Sequence, residues 1–242
     1  TIFNLAPMVV EIVREKLLYE WDFVATLADM DLLLLGLWNT IQVFFLALVF
    51  GVPLGLGLAL GRMSRILVLS QLCSFIIEFF RTTPPLVQLF WFFFALPILI
   101  SVQMTPFVAS VLTFSIQSSA FFAEIFRGGI NSIDKGQWEA AKAIGMTRKS
   151  SLTRIILPQA VKRMIPAFAE RSIELLKTTT LISTVSYADL MFQANELASK
   201  NFRPLEVYTV VAIMYFFLIL TFSQLTIRLE YRLAKTGEGT LR

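Results

Sequence analysis

From Leu32 to Gly61 no residue carries a charge, and the run is dominated by Leu, Phe, Val and Gly. About 20 apolar residues in a helix cross the roughly 30 Å hydrocarbon core of a bilayer. Inside a bilayer every backbone N–H and C=O must find its partner within the protein, so a run like this folds as a helix. Similar runs recur along the chain. Of its residues, 56% are hydrophobic, 23 are Phe and only 16% are charged, against roughly 45–50% apolar and 25% charged in soluble domains. The chain is therefore expected to be all-α and polytopic, with one membrane domain (32–242) behind an N-terminal arm (1–31).

Five spans are expected, at about 32–60, 66–100, 107–126, 165–186 and 205–227. Pro53 should kink the first. Pro84 and Pro85 should kink the second. Residues 97–106 should form a turn, and Tyr187 to Pro204 a wet loop. Gly51/Gly55 and Gly57/Gly61 have the small-xxx-small spacing that lets helices approach closely, and are expected to be packing glycines. The arm carries six acids between Glu11 and Asp31 and is unlike a signal peptide. It is expected to be an interfacial helix or loose segment on the periplasmic side.

The cations set the orientation. Fourteen of the 21 basic residues fall on one side of this topology: Arg62 and Arg65, eight between Arg127 and Arg163, and four from Arg228 to Arg242. Lys and Arg collect on the cytoplasmic side. The 127–163 loop and the C-terminus should therefore be cytoplasmic, and the N-terminus outside. The basic residues mark topology rather than a nucleic-acid surface. There is no His and one Cys, Cys73, so the commonest general base and metal ligand is missing and no intrachain disulfide can form. With no metal cluster and no nucleophile beside a base, an enzyme is disfavoured. A phosphate-cradling loop needs Gly-Lys-Ser/Thr, and none of the 11 glycines precedes a lysine. ATP-driven work would thus need a partner.

Within the cytoplasmic loop, residues 139–143 favour a helix. Gly145 can take positive φ and end it. Thr147 or Ser150 can cap a second start, and Pro158 should mark a bend. Glu139-Ala140-Ala141, Gly145 after three residues, and Ile155-x-Leu157-Pro158 after nine more resemble the signature loop of permease subunits in bacterial ABC importers. Glu78–Gln88, Ala123–Ile130, Leu176-Lys177 and Ser186–Leu190 are similar to the polar amino-acid uptake branch of that family. The resemblance covers about Leu35 to Leu233. Two positions depart from it: Pro85 stands where Leu is usual, and Thr178 stands where an acid is common after the lysine. Substrate preferences tied to that acid do not carry over.

The resemblance implies a type I permease fold in the bacterial inner membrane. It implies work as a homo- or heterodimer, with two ATPase subunits that bind the ATP and Mg, so that this chain has no cofactor of its own. It also implies an extracytoplasmic solute-binding protein that delivers an amino acid. A coupling helix at about Trp138 to Ile144 would dock in the ATPase through Glu139 and the small Ala140, Ala141 and Ala143, with Gly145 as the turn behind it and Pro158 at the re-entry.

The fourth span is unusually polar. Glu174 and Lys177 can receive the two ends of a zwitterion or form a structural ion pair, and Thr178 begins a Thr run. Glu170 and Arg171 are expected nearer the cytoplasm, within snorkelling reach. Gln117, Ser118 and Ser119 in the third span, and Gln88 in the second, are substrate contacts or interhelical hydrogen-bonding groups. A structural half without its own substrate site is one alternative. An ion-driven carrier is another, disfavoured because no inverted repeat is visible.

Overall fold

The structure, a computed structural model, describes residues 19–238, with side chains to Arg228. Residues 1–18 of the expected arm, with Arg14 and Lys16, lie outside the described residues, as does Arg242. The described part is helical, with no strand.

Residues 19–23 lead into a short helix α1 (Val24–Ala28) and then α2 (Met30–Arg62). α2 runs unbroken past Pro53, one helix across the point where a kink was expected. Its buried side carries Ala47, Gly51, Gly55 and Ala59, four small residues one turn apart. α6 (Pro106–Asn131) lies along this strip in the longest contact of the molecule. A Cβ on Gly51 would come within 3.1 Å of the Ser115 carbonyl, and one on Gly55 within 2.7 Å of the Ser119 carbonyl. Gly57 faces open space and a Cβ on Gly61 would strike Cys73. The close-packing strip is thus Ala47/Gly51/Gly55/Ala59, and Gly57 and Gly61 are not part of it.

α3 (Leu67–Thr82) is followed by α4 (Pro85–Phe90), a π-helical turn (Trp91–Ala95) and α5 (Leu96–Ile100). The two halves, Leu67–Thr82 and Pro85–Ile100, meet at 107°. Proline cannot donate to the carbonyl one turn back. Gln88 Nε2 fills that role, donating to the carbonyls of Phe80 and Thr83 at 2.9 Å each.

The basic loop at 127–163 holds α7 (Lys135–Ala143) and α8 (Arg148–Ser151), and α8 continues through a π-helical turn (Leu152–Ile156) into α9 (Leu157–Thr178). Pro158 follows the π-helical turn directly, so the ladder is irregular where the bend was expected, while the chain stays helical through it. A 3-10 segment (Thr179–Val185) extends α9. The stretch expected to be a wet loop contains α10 (Leu190–Asn201), capped by Asp189 and burying Leu190, Ala194, Leu197 and Ala198. That i, i+4, i+7, i+8 spacing is a helical face. α11 (Pro204–Glu238) completes the chain.

By length and composition α2, α6 and Pro204–Arg228 of α11 can each cross a membrane, and the bent pair makes a fourth. α9 falls outside that group because it carries Glu170, Arg171, Glu174 and Lys177. The core forms layers along the helices. One cluster, with Leu33, Leu190 and Val207, joins α2, α10 and α11. A central one, with Phe44, Phe114 and Leu175, joins α2, α6 and α9. A third, with Ile130, Ile156 and Met164, sits under the loop.

Candidate functional site

α9 carries two kinds of charge. Arg163, Glu170, Glu174 and Lys177 are exposed, and at 3.6 residues per turn they fall within about 60° of arc. Arg171 turns the other way. Its side chain is 6% exposed, where snorkelling to the cytoplasm was expected. Its guanidinium lies 3.6 Å from the centre of the Phe121 ring on α6, a cation–π contact strengthened by burial. Nη1 donates to Glu174 Oε2 at 2.8 Å. Nε and Nη2 are buried without an acceptor among the described residues. Glu174 is thus paired with Arg171 and not with Lys177. Arg81 of α3 stands 5.6 Å from the same ring.

Gln117 lies one helical turn from Phe121. It is 2% exposed, with Oε1 unpaired. Gln88 is also buried and its Oε1 is unpaired. Ser118 and Ser119 are buried on the side of α6 that meets Gly51 and Gly55, and Ser119 Oγ donates to the Ile116 carbonyl at 2.6 Å. Thr178 Oγ1 donates to the Glu174 carbonyl at 2.8 Å. Arg171 is therefore the α9 charge that meets α6, Glu174 and Lys177 stay on the exposed stripe, and Ser118 and Ser119 turn toward α2. Phe121 has no signal in the sequence, and Arg171 reads there as a snorkelling charge rather than one turned inward. A positive charge two turns before the Thr run was visible, but its inward turn depends on Phe121.

Toward the basic loop, Glu124 of α6 joins three helices. It accepts from Arg62 at 2.7 Å and from Arg127 at 2.7 Å, with Arg81 at 4.0 Å. Glu78 pairs with Arg81 at 3.7 Å, as its spacing predicts, and with Arg62 at 3.4 Å.

α7 begins at Lys135, three residues before the expected Trp138, because Asp134 caps it by accepting from the Gly136 N–H at 2.7 Å. Its end is a Schellman motif. Met146 N–H donates to the Ala141 carbonyl and Gly145 N–H to the Lys142 carbonyl, both at 3.0 Å. Gly145 has φ +78°, a conformation glycine adopts without steric cost. Trp138 packs on the cluster of Ile130, Ile133, Ile156 and Met164, and Ala141 is 1% exposed. These two seat the helix. Glu139, Ala140, Lys142, Ala143 and Ile144 are exposed, Ile144 to 75%. Pro158 is exposed nearby.

Residues 51–235 match the family described as "Binding-protein-dependent transport system inner membrane component". A probable amino-acid permease protein, YxeN, of Bacillus subtilis is 38% identical over 218 residues, covering 89% of this chain and 96% of its own. The glutamine transport system permease protein GlnP of Escherichia coli K12 is 34% identical over 215 residues, covering 88% of this chain and 98% of its own. The crystal structure of an amino acid ABC transporter with histidines aligns at a TM-score of 0.84 and 38% identity, over 88% of this chain and 99% of that one. A methionine ABC transporter, MetNI, in an inward-facing form shares the fold at a TM-score of 0.69 and 21% identity. With an all-helical frame, a seated cytoplasmic helix and a charged stripe in a membrane setting, the chain belongs to the binding-protein-dependent ABC importer permeases, the membrane-embedded transport subunits whose ATP is hydrolysed by a separate protein.

Proposed function

We propose that this chain translocates a polar amino acid as one half of a permease pair, and that the facing parts of α6 and α9 line the path. The observation that carries this is the exposed stripe of Glu170, Glu174 and Lys177 on a helix set among apolar spans. Charges at membrane depth face a partner or a wet path. The amino-acid class rests on the relatives' names. Lys177 and the free donors of Arg171 suit a carboxylate, and Glu174 suits an ammonium. Gln117 and Gln88 offer acceptors, and Thr178 a hydroxyl. Ser118 and Ser119 support α6 from behind. On this reading α9 with its 3-10 extension serves as a fifth span, with the N-terminus outside and the C-terminus in the cytoplasm.

Glu139, Ala140, Ala143 and Ile144 meet one of two ATPase subunits, which hold the ATP and Mg. Trp138, Ala141, Gly145 and Pro158 fix the helix that makes that contact. A solute-binding protein delivers from outside. The Arg171–Glu174 bond favours one other reading, in which the pair is structural and the second permease chain holds the substrate.

The test is uptake of labelled amino acids by the reconstituted complex. Arg171→Gln and Glu174→Gln should cut uptake at least about tenfold, the scale of one charge-assisted contact, with the ATPase still bound. Glu139→Lys should release the ATPase. Wild-type uptake in both the Arg171 and the Glu174 variant, with the ATPase bound, would leave this chain a structural half.

A further inference from the structure

We infer that α9 and α11 hold an anionic phospholipid of the inner leaflet in the groove between them. A cavity of about 210 Å³ opens there, lined by Phe126, Val161, Ile165, Phe168, Ala169 and Thr226 among others. Phe168 forms its floor, stacked on Phe122 and edge-on to Phe126, both at 5.0 Å. Val161, Ile165, Phe168, Ala169 and Ser172 centre on the side of α9 opposite Arg163, Glu170, Glu174 and Lys177, counting about 100° per residue. The charged side must be covered by a second permease or by water, whereas the groove side can face hydrocarbon. The two occupants are thereby separated.

Three features select a lipid and its sign. The groove spans Val161 to Ser172, about 16 Å of helix, close to half the roughly 30 Å hydrocarbon thickness. It starts at the cytoplasmic end of α9, so its depth matches one chain of the inner leaflet. On the α9 side of that end stand Lys162, next to the lining Val161, and Arg154, two turns before it. Both are exposed and neither has a carboxylate partner among the described residues. Exposed cations above an apolar slot suit a phosphate headgroup with its acyl chain below.

The full chain is purified in mild detergent, its retained lipid is identified by mass spectrometry, and its thermal stabilisation by phosphatidylglycerol is compared with that by phosphatidylcholine. The wild type should retain phosphatidylglycerol and be stabilised by it preferentially. Arg154→Gln with Lys162→Gln should weaken that preference about five-fold per cation. Ala169→Leu, which fills the slot and leaves the cations in place, should lower retention of either lipid. Circular dichroism and gel filtration establish that both variants are folded. Equal stabilisation of the wild type by the two lipids, or wild-type retention in either variant, would overturn the inference.

Discussion

Single positions decide whether these helices can meet. Gly55 lies where a Cβ would stand 2.7 Å from the Ser119 carbonyl and 2.8 Å from the Phe122 Cβ. Neither atom can yield without moving α6. Gly55→Ala should cost about 1–3 kcal/mol, the usual range for overpacking, and lower the melting temperature in detergent. Gly57→Ala, with nothing within 4 Å, should melt like the wild type. Asp189 makes a different prediction. It is fully buried, and its Oδ1 accepts from the Phe192 N–H at 2.9 Å while Oδ2 has no partner. Burial pushes its carboxyl up from 3.8 to about 7, against backbone N–H groups that pull it down. Between those values the folded chain holds a proton that the unfolded chain has released. Stability should therefore fall as pH rises from about 4 to about 7, by up to roughly 1.4 kcal/mol per pH unit, and level off above. Asp189→Asn keeps the cap and should flatten that profile in pH-dependent melts. Residue patterns foretold Gly51 and Gly55, but not the open setting of Gly57 or the inward turn of Arg171. Glu170 and Arg171 are neighbours in sequence and about 100° apart on the helix, and only Phe121, 50 positions away, decides which of them turns inward.

Among the elements, α7 was the most legible and α10 the least. The good helix formers at 139–143 and the glycine after them mark α7 and its end. Its true start was missed because Asp134, a strong capping residue, lies before a Lys-Gly pair that reads as loop. Asp134→Ala should cost about 1 kcal/mol locally. The amides of Gly136 and Gln137 should then exchange faster in hydrogen–deuterium measurements, while those of α6 stay unchanged. α10 was hidden by its polar residues. Asn195, Glu196, Ser199 and Lys200 lower the hydropathy of the segment, although Leu190, Ala194, Leu197 and Ala198 keep helical period. The bend at Thr83 and Pro84 was readable from the two prolines, but its 107° was not. At the bend Gln88 satisfies the Phe80 carbonyl, which Pro84 cannot reach with an N–H, and the Thr83 carbonyl beside it.

At the scale of the whole molecule, Glu124 ties the C-terminal ends of α2, α3 and α6 through Arg62, Arg81 and Arg127. Its side chain is 18% exposed, so these pairs escape most solvent screening. Glu124→Gln leaves three guanidiniums around a neutral group. It should destabilise the chain by about 1–2 kcal/mol, between an exposed and a fully buried pair, as a lowered melting temperature with greater protease cleavage near Arg65. The α9 stripe bears on how much of this protein a cell can keep. A newly made chain without its cover exposes Glu170, Glu174 and Lys177 in a membrane-embedded helix, a surface that quality-control proteases can grip. Orphan chains should turn over faster than assembled ones, so the supply of the covering partner sets the standing number of transporters.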